Sequence, residues 1–380
     1  MKEVSIIGVG MHPFGRFDDK PYTQIGLEAA IAALKDANIE WRQVQAAFCS
    51  RMYLPATTGI RVLTQLGRTG IPIADVEAAC ASGGVALRQA FTAIVSGIYD
   101  VVLALGVEKM PRGFMDPAAI YDEWQILTGL SQNPMYWALR ARRHMETYGT
   151  TEEQIAKVAV KNHKNSVHNP YAMYRKEFTL EEILSSTVVC DPLRLLAMCA
   201  PNEGAAAAIV CPKDIAHKFN SKPVTVATCQ HKVALYPHFS VPYFQLSAKI
   251  TEPPVTTLTA NAAYEAAGVG PKDLDVLELQ DTEAFCEIEA YEELGLCQEG
   301  EGGRLIDEGV TEMGGKIPVN ASGGLISKGE PVGASHLGQI AELVWQLRGE
   351  AGPRQIADAK VALAHVLGAG GNCAVTILKR

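Results

Sequence analysis

The sequence has no C-x-x-C pair, no long run of Lys or Arg, and no apolar stretch near the roughly 18 residues that a membrane-spanning helix needs. Its cysteines stand at 49, 80, 190, 199, 211, 229, 286, 297 and 373, a spacing that makes neither a zinc site nor a disulfide framework. Most lie in apolar runs such as Ala46-Ala47-Phe48-Cys49 and Ala208-Ile209-Val210-Cys211, where a thiol behaves as a small hydrophobe, and Cys190, Cys199 and Cys229-Gln230-His231 read as core on the same ground. Free thiols, no metal, and a reducing, cytoplasmic setting are expected. With 34 Lys plus Arg against 42 Asp plus Glu, the net charge is −8 and no basic patch exists, so neither nucleic acid nor an anionic membrane is expected as a partner. MKEVSIIGVG passes from a strand into a glycine turn, which is no signal peptide. Gly8-Val9-Gly10 lacks the third glycine of a dinucleotide loop, with Met11-His12-Pro13 following instead.

What is present is a chain of 380 residues, 48% hydrophobic and 20% charged, enough to fill a large interior spread over two or three domains. A small-molecule enzyme fits. The chain also repeats itself. Ala37-Asn38-Ile39 matches Ala267-Gly268-Val269, and Val44 matches Leu274. Further on, Cys80-Ala81-Ser82-Gly83-Gly84-Val85 faces Asn320-Ala321-Ser322-Gly323-Gly324-Leu325, and Val101 to Gly106 echoes Val361 to His365. Three matches in the same order indicate two similar α/β halves.

Apolar β-rich runs alternate with helical patterns in each half, which implies buried parallel or mixed sheets. Residues 1–111 plus 201–222 read as the N-terminal half, 112–200 as an inserted cap, and 223–380 as the C-terminal half. The cap carries Trp124, Trp137, an Arg-rich helix from Leu139 to Tyr148 and a His163/His168 loop. A substrate site is expected where the halves meet under the insertion.

The strongest chemical signal is Asp75-Val76-Glu77-Ala78-Ala79-Cys80-Ala81-Ser82-Gly83-Gly84, a strand running through a tight turn into a helix with Leu87, Phe91 and Ile94 on one face. Cys80 then stands at a helix N-terminus. Unpaired N–H groups and the helix dipole there favour the thiolate, so a lowered pKa and a nucleophilic role are expected.

With these residues in place, the chain resembles the thiolase superfamily, in its branch of sterol-carrier-type thiolases and lipid-transfer-like acyltransferases. The resemblance spans the duplicated halves, the cap, the Cys80 motif, Asn320 to Gly324, Gly329-x-Pro331-x-Gly333 and Gly368-x-Gly370-Gly371. It implies a five-layered α-β-α-β-α subunit, a homodimer, and a cysteine that carries an acyl group between coenzyme A and a carbon nucleophile. Coenzyme A is then a co-substrate, with no permanently bound cofactor. The resemblance also implies oxyanion donors at the backbone N–H of Cys80 and Gly368, substrate binding by Asn320, Ser322, Gly323 and Gly324, and a small zinc-ribbon/OB-fold (DUF35-type) partner subunit.

The departures matter equally. Gly329-Glu330-Pro331 has Glu330 where relatives carry a histidine. Their His-Asp-Cys-Phe or Asn-Glu-Ala-Phe motif falls on Gln280-Asp281-Thr282-Glu283 by spacing from Leu294-Gly295, although Thr282-Glu283-Ala284-Phe285 is closer by letters. The second cysteine of ordinary members is replaced in Val366-Leu367-Gly368. For proton transfer the sequence offers Glu330 first, then His336, His365, Glu283 and Cys373 or Cys286, while Gln280 is a catalytic candidate by its motif position; a buried carboxyl with a raised pKa can serve as a base. Arg140, Arg142 and Arg143 either meet coenzyme A phosphates or form a solvated face.

The expected function is thiolysis of a 3-oxoacyl-CoA through a Cys80 acyl-enzyme. Phe114, Trp124, Tyr136 and Trp137 hint at a bulky or aromatic acyl group. Two alternatives remain: retro-aldol cleavage of a hydroxyacyl-CoA without a covalent acyl intermediate, and a non-catalytic thiolase-like subunit.

Overall fold

The computed structural model describes residues 2–113, 116–119, 121–235 and 252–380. The first half runs β1 Val4–Gly15, α1 Tyr22–Asp36, β2 Ala46–Ser50, α2 Thr58–Leu63, β3 Ile73–Val76, α3 Ser82–Val95 and β4 Val102–Lys109. A long excursion follows, with α4 Glu123–Leu127, α5 Asn133–Tyr148, α6 Glu152–Ser166, α7 Leu180–Ser185 and a small hairpin of β5 Val188–Cys190 and β6 Leu193–Arg194. The chain returns through β7 Glu203–Pro212 and α8 Lys213–Ala216. The second half is β8 Val224–Val233, α9 Val255–Ala267, β9 Val276–Glu278, α10 Ala284–Glu293, α11 Gly302–Asp307, α12 Gly324–Lys328, α13 Ser335–Arg348, β10 Val361–Gly368 and β11 Asn372–Lys379.

Nine strands join in the order β3-β2-β4-β7-β1-β8-β11-β10-β9, and the duplication is visible in that order. Pairs β2–β3, β2–β4 and β9–β10 are parallel, as crossover helices require, whereas β4–β7, β7–β1, β10–β11 and β11–β8 are antiparallel. Beyond β9 a parallel bridge from Leu277 to Val319 stands where the counterpart of β3 would lie. The halves are therefore mirrored about the short antiparallel contact of β1 with β8, Val4 to Ile6 against Val226 to Val224. The counterpart of the β4–β7 pair is β10–β11, which closes through Ala369-Gly370-Gly371 alone. The cap occupies the place of that three-residue turn.

Strand alternation sorts the core into layers. On β4, Leu103 and Leu105 face α1 with Ile25, Ala29 and Ala33, while Val102 and Ala104 face the central helices. Those are α3, through Leu87, Ala90 and Ile94, and α13, through Leu337, Ile340 and Val344. Strands of both halves contribute to this middle core, and α9, α10 and cap helices α5 and α6 cover the far side. The result is the expected five layers. Helix α13 is buried on nearly every face, as a helix held between the two halves of the sheet must be.

One sequence expectation is overturned here: His163 lies on α6, not in a loop. Thr151 and Gln154 form a capping box, Gln154 N donating to Thr151 Oγ1 at 3.1 Å and Thr151 N to Gln154 Oε1 at 3.0 Å, and the helix runs on to Ser166.

Candidate active site

The Cys80 turn is fastened locally. Ala79 has φ +50°, and a short 3-10 turn, Ala79–Ala81, leads into α3. Ser82 Oγ donates to Ala79 O at 2.5 Å and accepts from Ala78 N at 2.8 Å, while Glu77 Oε1 accepts from Ala79 N at 2.6 Å. Gly84 lets α3 meet β11 and α13, since a Cβ there would stand 2.6 Å from Ala374 Cβ and 3.1 Å from the His336 ring.

Cys80 opens onto a cavity of about 310 Å³. Its wall is apolar where Met52, Met110, Trp137, Leu195 and Met198 line it, and polar where Gln280, Glu283 and Glu330 converge. Glu330 is the hub. Cys199 Sγ donates to its Oε2 at 3.0 Å, Gln280 Nε2 reaches Oε1 at 3.5 Å, and the same carboxyl acts on the Cys80 thiol. Gln280 is oriented by accepting from Leu367 N and donating to Thr282 Oγ1 at 2.8 Å. Glu283 accepts from Asn133 Nδ2 and from Cys286 Sγ, each at 3.3 Å.

The chain crossing that builds this cluster is knitted by backbone. Met198 bridges Glu283, Pro201 bridges Glu330, Cys199 N donates to Thr282 O at 2.7 Å, and Glu330 N to Ala200 O at 3.2 Å. Gly329 has φ +109° and passes so close to Asn202 that a Cβ would sit 1.7 Å from its Nδ2, so only glycine can deliver Glu330 here. Arg16 ties the two roots of the cap together, its guanidinium donating to Met110 O at 2.5 Å, Pro111 O at 3.2 Å and Pro201 O at 2.5 Å.

Electrostatics reverse one expectation. Cys80 does stand ahead of α3, but burial and then the Glu330 carboxyl push its thiol well above the ordinary range, against smaller opposing bonds from Ala369 N–H and Gln280. The same two causes raise Cys199. Burial also raises Glu330 and Glu283. The resting site therefore holds protonated thiols around a carboxyl poised to accept a proton.

The structure brings together Cys80, Gln280, Glu283 and Glu330 but places other sequence candidates elsewhere. His336 is buried between α3 and β11, with Nδ1 on Gln339 Oε1 at 2.9 Å and Nε2 on Thr376 Oγ1 at 3.3 Å, and burial lowers its pKa to about 4. His365 lies behind the wall of Trp137, Gln280 and Leu367, beside a separate cavity of about 10 Å³. Its Nε2 meets Thr256 Oγ1 at 3.2 Å, and burial lowers its pKa to about 3. The candidate binding residues form scaffold instead. Asn320 Oδ1 accepts from Leu279 N at 2.8 Å and its Nδ2 donates to Glu287 at 2.7 Å. Ser322 Oγ donates to Glu278 at 2.5 Å, and Gly323 and Gly324 open α12, whose Leu325 N donates to Asp281 at 2.6 Å. None of Asn320, Ser322, Gly323 and Gly324 lines the cavity, because this buried polar network holds the loop away from it. The backbone N–H directed at the Cys80 sulfur belongs to Ala369, one residue past Gly368.

In the cap, Arg140 pairs with Glu289 at 2.6 Å and Glu293 at 3.3 Å, and Arg142 pairs with Asp191. Of the aromatic set, Trp137 lines the cavity, Tyr136 is buried against Gln125 at 2.7 Å, Trp124 is 42% exposed, and Phe114 lies outside the described residues. Sequence reasoning missed Cys199, Asn133 and Ala369. Cys199 carried no signal of its own; only the fold sets it against Glu330.

Comparison with known proteins gives the family. The thiolase N-terminal domain family matches residues 4–214, and the thiolase C-terminal domain-like family matches 244–380. An acetyl-CoA acetyltransferase of Methanothermobacter thermautotrophicus is 40% identical over 394 residues, covering 100% of both chains. The sterol carrier protein 2 of Oryctolagus cuniculus is 42% identical over 100% of this chain and 72% of its own length. The benzoylsuccinyl-CoA thiolase subunit BbsB of Thauera aromatica is 36% identical over 97% of this chain and 95% of its own. A solved Ltp2-ChsH2(DUF35) aldolase superposes with a TM-score of 0.88 at 26% identity, covering 99% of this chain and 97% of that one. The chain belongs to the thiolase family, a class of acyl-CoA acyltransferases with coenzyme A as co-substrate. Within it, the sequence falls in the sterol-carrier-type branch.

Proposed function

We propose that this enzyme cleaves a 3-oxoacyl-CoA through a Cys80 acyl-enzyme, in the degradative direction. The observation that carries the reading is that Cys80 and Glu330 line the same wall of a cavity of about 310 Å³, with the Glu330 carboxyl acting on the thiol. Glu330 takes the thiol proton as sulfur attacks C3, the C2–C3 bond breaks, and coenzyme A then removes the acyl group from Cys80. Ala369, on the cavity wall with Cys80 and acting on its thiol through the backbone N–H, is assigned as a donor to the developing C3 oxyanion. The cavity favours a bulky or aromatic acyl group, because Met52, Met110, Met198 and Trp137 present soft, apolar surface. The relative that acts on benzoylsuccinyl-CoA supports this choice.

Benzoylacetyl-CoA tests it. Intact-mass measurement should find a benzoyl adduct on Cys80 that is absent from Cys80→Ser, and thiolysis should fall by about 10² to 10⁴ in that variant. No adduct together with unimpaired cleavage would overturn the reading.

A second reading is retro-aldol cleavage of a hydroxyacyl-CoA, with Glu330 deprotonating the β-hydroxyl and Cys80 remaining a thiol. The protonated resting thiol and the likeness to an aldolase favour it. Full lyase activity in Cys80→Ala would decide for it.

Among the described residues, Arg16 is the cationic residue on the cavity wall, and its guanidinium is engaged by backbone carbonyls. We therefore assign recognition of the coenzyme A phosphates in part to a small zinc-ribbon/OB-fold subunit, a reading supported by the DUF35 component of the similar aldolase. A homodimer through the open sheet edge at β3 and a cytoplasmic setting complete the proposal. Among the described residues, no helix is long and apolar enough to cross a membrane.

A further inference from the structure

Thiolysis moves protons on both sides of the scissile bond: one leaves Cys80, and one must arrive at C2 as the carbon-carbon bond breaks. We infer that Cys199 is the second acid–base group of the site and delivers the proton to C2. The inference presupposes the Cys80 acyl-enzyme.

Geometry selects Cys199. Its thiol lies on the cavity wall and donates to Glu330 Oε2 at 3.0 Å, sharing with Cys80 the one carboxyl that can connect them. It is also held still. Its N–H is fixed on Thr282 O at 2.7 Å, and the neighbouring Ala200 carbonyl accepts from Glu330 N at 3.2 Å, so thiol and carboxyl move as one unit. The remaining groups stand elsewhere. His336 is absent from the cavity wall, and His365 borders only the small rear cavity. Cys286 borders that rear cavity too and bonds Glu283, while Cys373 bonds Thr259 and Thr256 on the far side of the sheet. Burial and Glu330 keep the Cys199 thiol protonated at rest, as an acid must be.

The step balances. The Cys80 S–H proton passes to Glu330 as the S–C3 bond forms. The C2–C3 bond breaks with its electron pair on C2, Cys199 S–H protonates C2, and Glu330 returns its proton to the Cys199 sulfur. Cys80 then carries the acyl group, its former proton resides on Cys199, and the released acyl-CoA carries the proton that Cys199 gave up. In the second half, the coenzyme A thiol gives its proton to Glu330 while attacking the thioester, and Cys80 leaves and recovers that proton.

Cys199→Ser and Cys199→Ala test the assignment. Serine keeps the volume and the bond to Glu330, but its hydroxyl does not ionise near neutral pH. With acetyl-CoA in D₂O, both variants should exchange methyl hydrogens about 100-fold more slowly than the wild type. With benzoyl-CoA, whose transfer to Cys80 breaks no carbon–carbon bond, Cys80 should still gain its adduct, and the melting temperature of Cys199→Ser should match the wild type. Exchange by Cys199→Ser within about threefold of the wild type, with the adduct present, overturns the role of Cys199 alone. Failure of the wild type to form any adduct overturns the acyl-enzyme and this inference together.

Discussion

Lys161 Nζ lies 2.7 Å from Glu287 Oε1, and both side chains are shut off from solvent. The pair joins cap helix α6 to α10, and Asn162 and Asn320 each donate to the other carboxylate oxygen at 2.7 Å. Because removing one partner leaves a buried charge uncompensated, Lys161→Ala should lose about 3 to 5 kcal/mol of stability. Lys161→Met combined with Glu287→Leu should lose less than the single change. Urea unfolding measures both; a Lys161→Ala curve superimposed on the wild type would show the pair to be idle.

Glu330 acts on Cys80 in two opposed ways. Its charge disfavours the thiolate, yet its oxygen is the proton acceptor the reaction needs. Glu330→Gln should therefore shift the pH midpoint of Cys80 alkylation by iodoacetamide downward while turnover falls by about 10² to 10⁴. An unchanged or raised midpoint contradicts this electrostatic account.

The two buried histidines make a prediction about acid. Burial lowers His336 to about 4 and His365 to about 3, from 6.5. The unfolded chain binds their protons first, so these residues subtract stability as pH falls below 6.5 toward those values. His336→Gln and His365→Gln should flatten that acid limb in urea titrations, lose stability of order 1 to 3 kcal/mol near neutrality, and leave the shape of the pH–rate profile alone. A displaced kinetic pKa would put an imidazole in the chemistry.

Glu108 makes the opposite prediction. It is fully buried, accepts from Met52 N at 2.7 Å and Tyr53 N at 3.2 Å, and burial raises it from 4.5 to about 7. The folded chain holds this proton longer than the unfolded one, so its contribution to stability declines as pH rises from 4.5 through 7. The stability of Glu108→Gln relative to the wild type should thus increase between pH 5 and pH 8. Parallel pH curves for the two proteins would refute it.

Much of the fold was legible because duplication repeats a pattern of small residues. Cys80-Ala81-Ser82-Gly83-Gly84 and Asn320-Ala321-Ser322-Gly323-Gly324 both mark a turn opening a helix packed into the central layers. The same likeness misled about function. Asn320 and Ser322 share the turn with Cys80, but their side chains face Glu287 and Glu278, and a letter pattern does not record which side of a turn meets the cavity. Glu330 and Gln280 were legible because each occupies a position set by spacing. Cys199 was not, because its partner is 131 residues away and the two are joined by bridges between irregular segments, Met198 to Glu283 and Pro201 to Glu330, which leave no periodic trace.

Arg16 has a consequence for how substrate arrives. One guanidinium holds the carbonyls at both roots of the cap, Met110 and Pro111 on the way out and Pro201 on the way back. Swinging the cap aside as a lid would release three charge-assisted bonds together, each worth roughly 1.5 to 3 kcal/mol. The two roots of the cap are thereby held at a set separation, and the acyl group must be accommodated by side chains of the cavity wall and not by parting those roots.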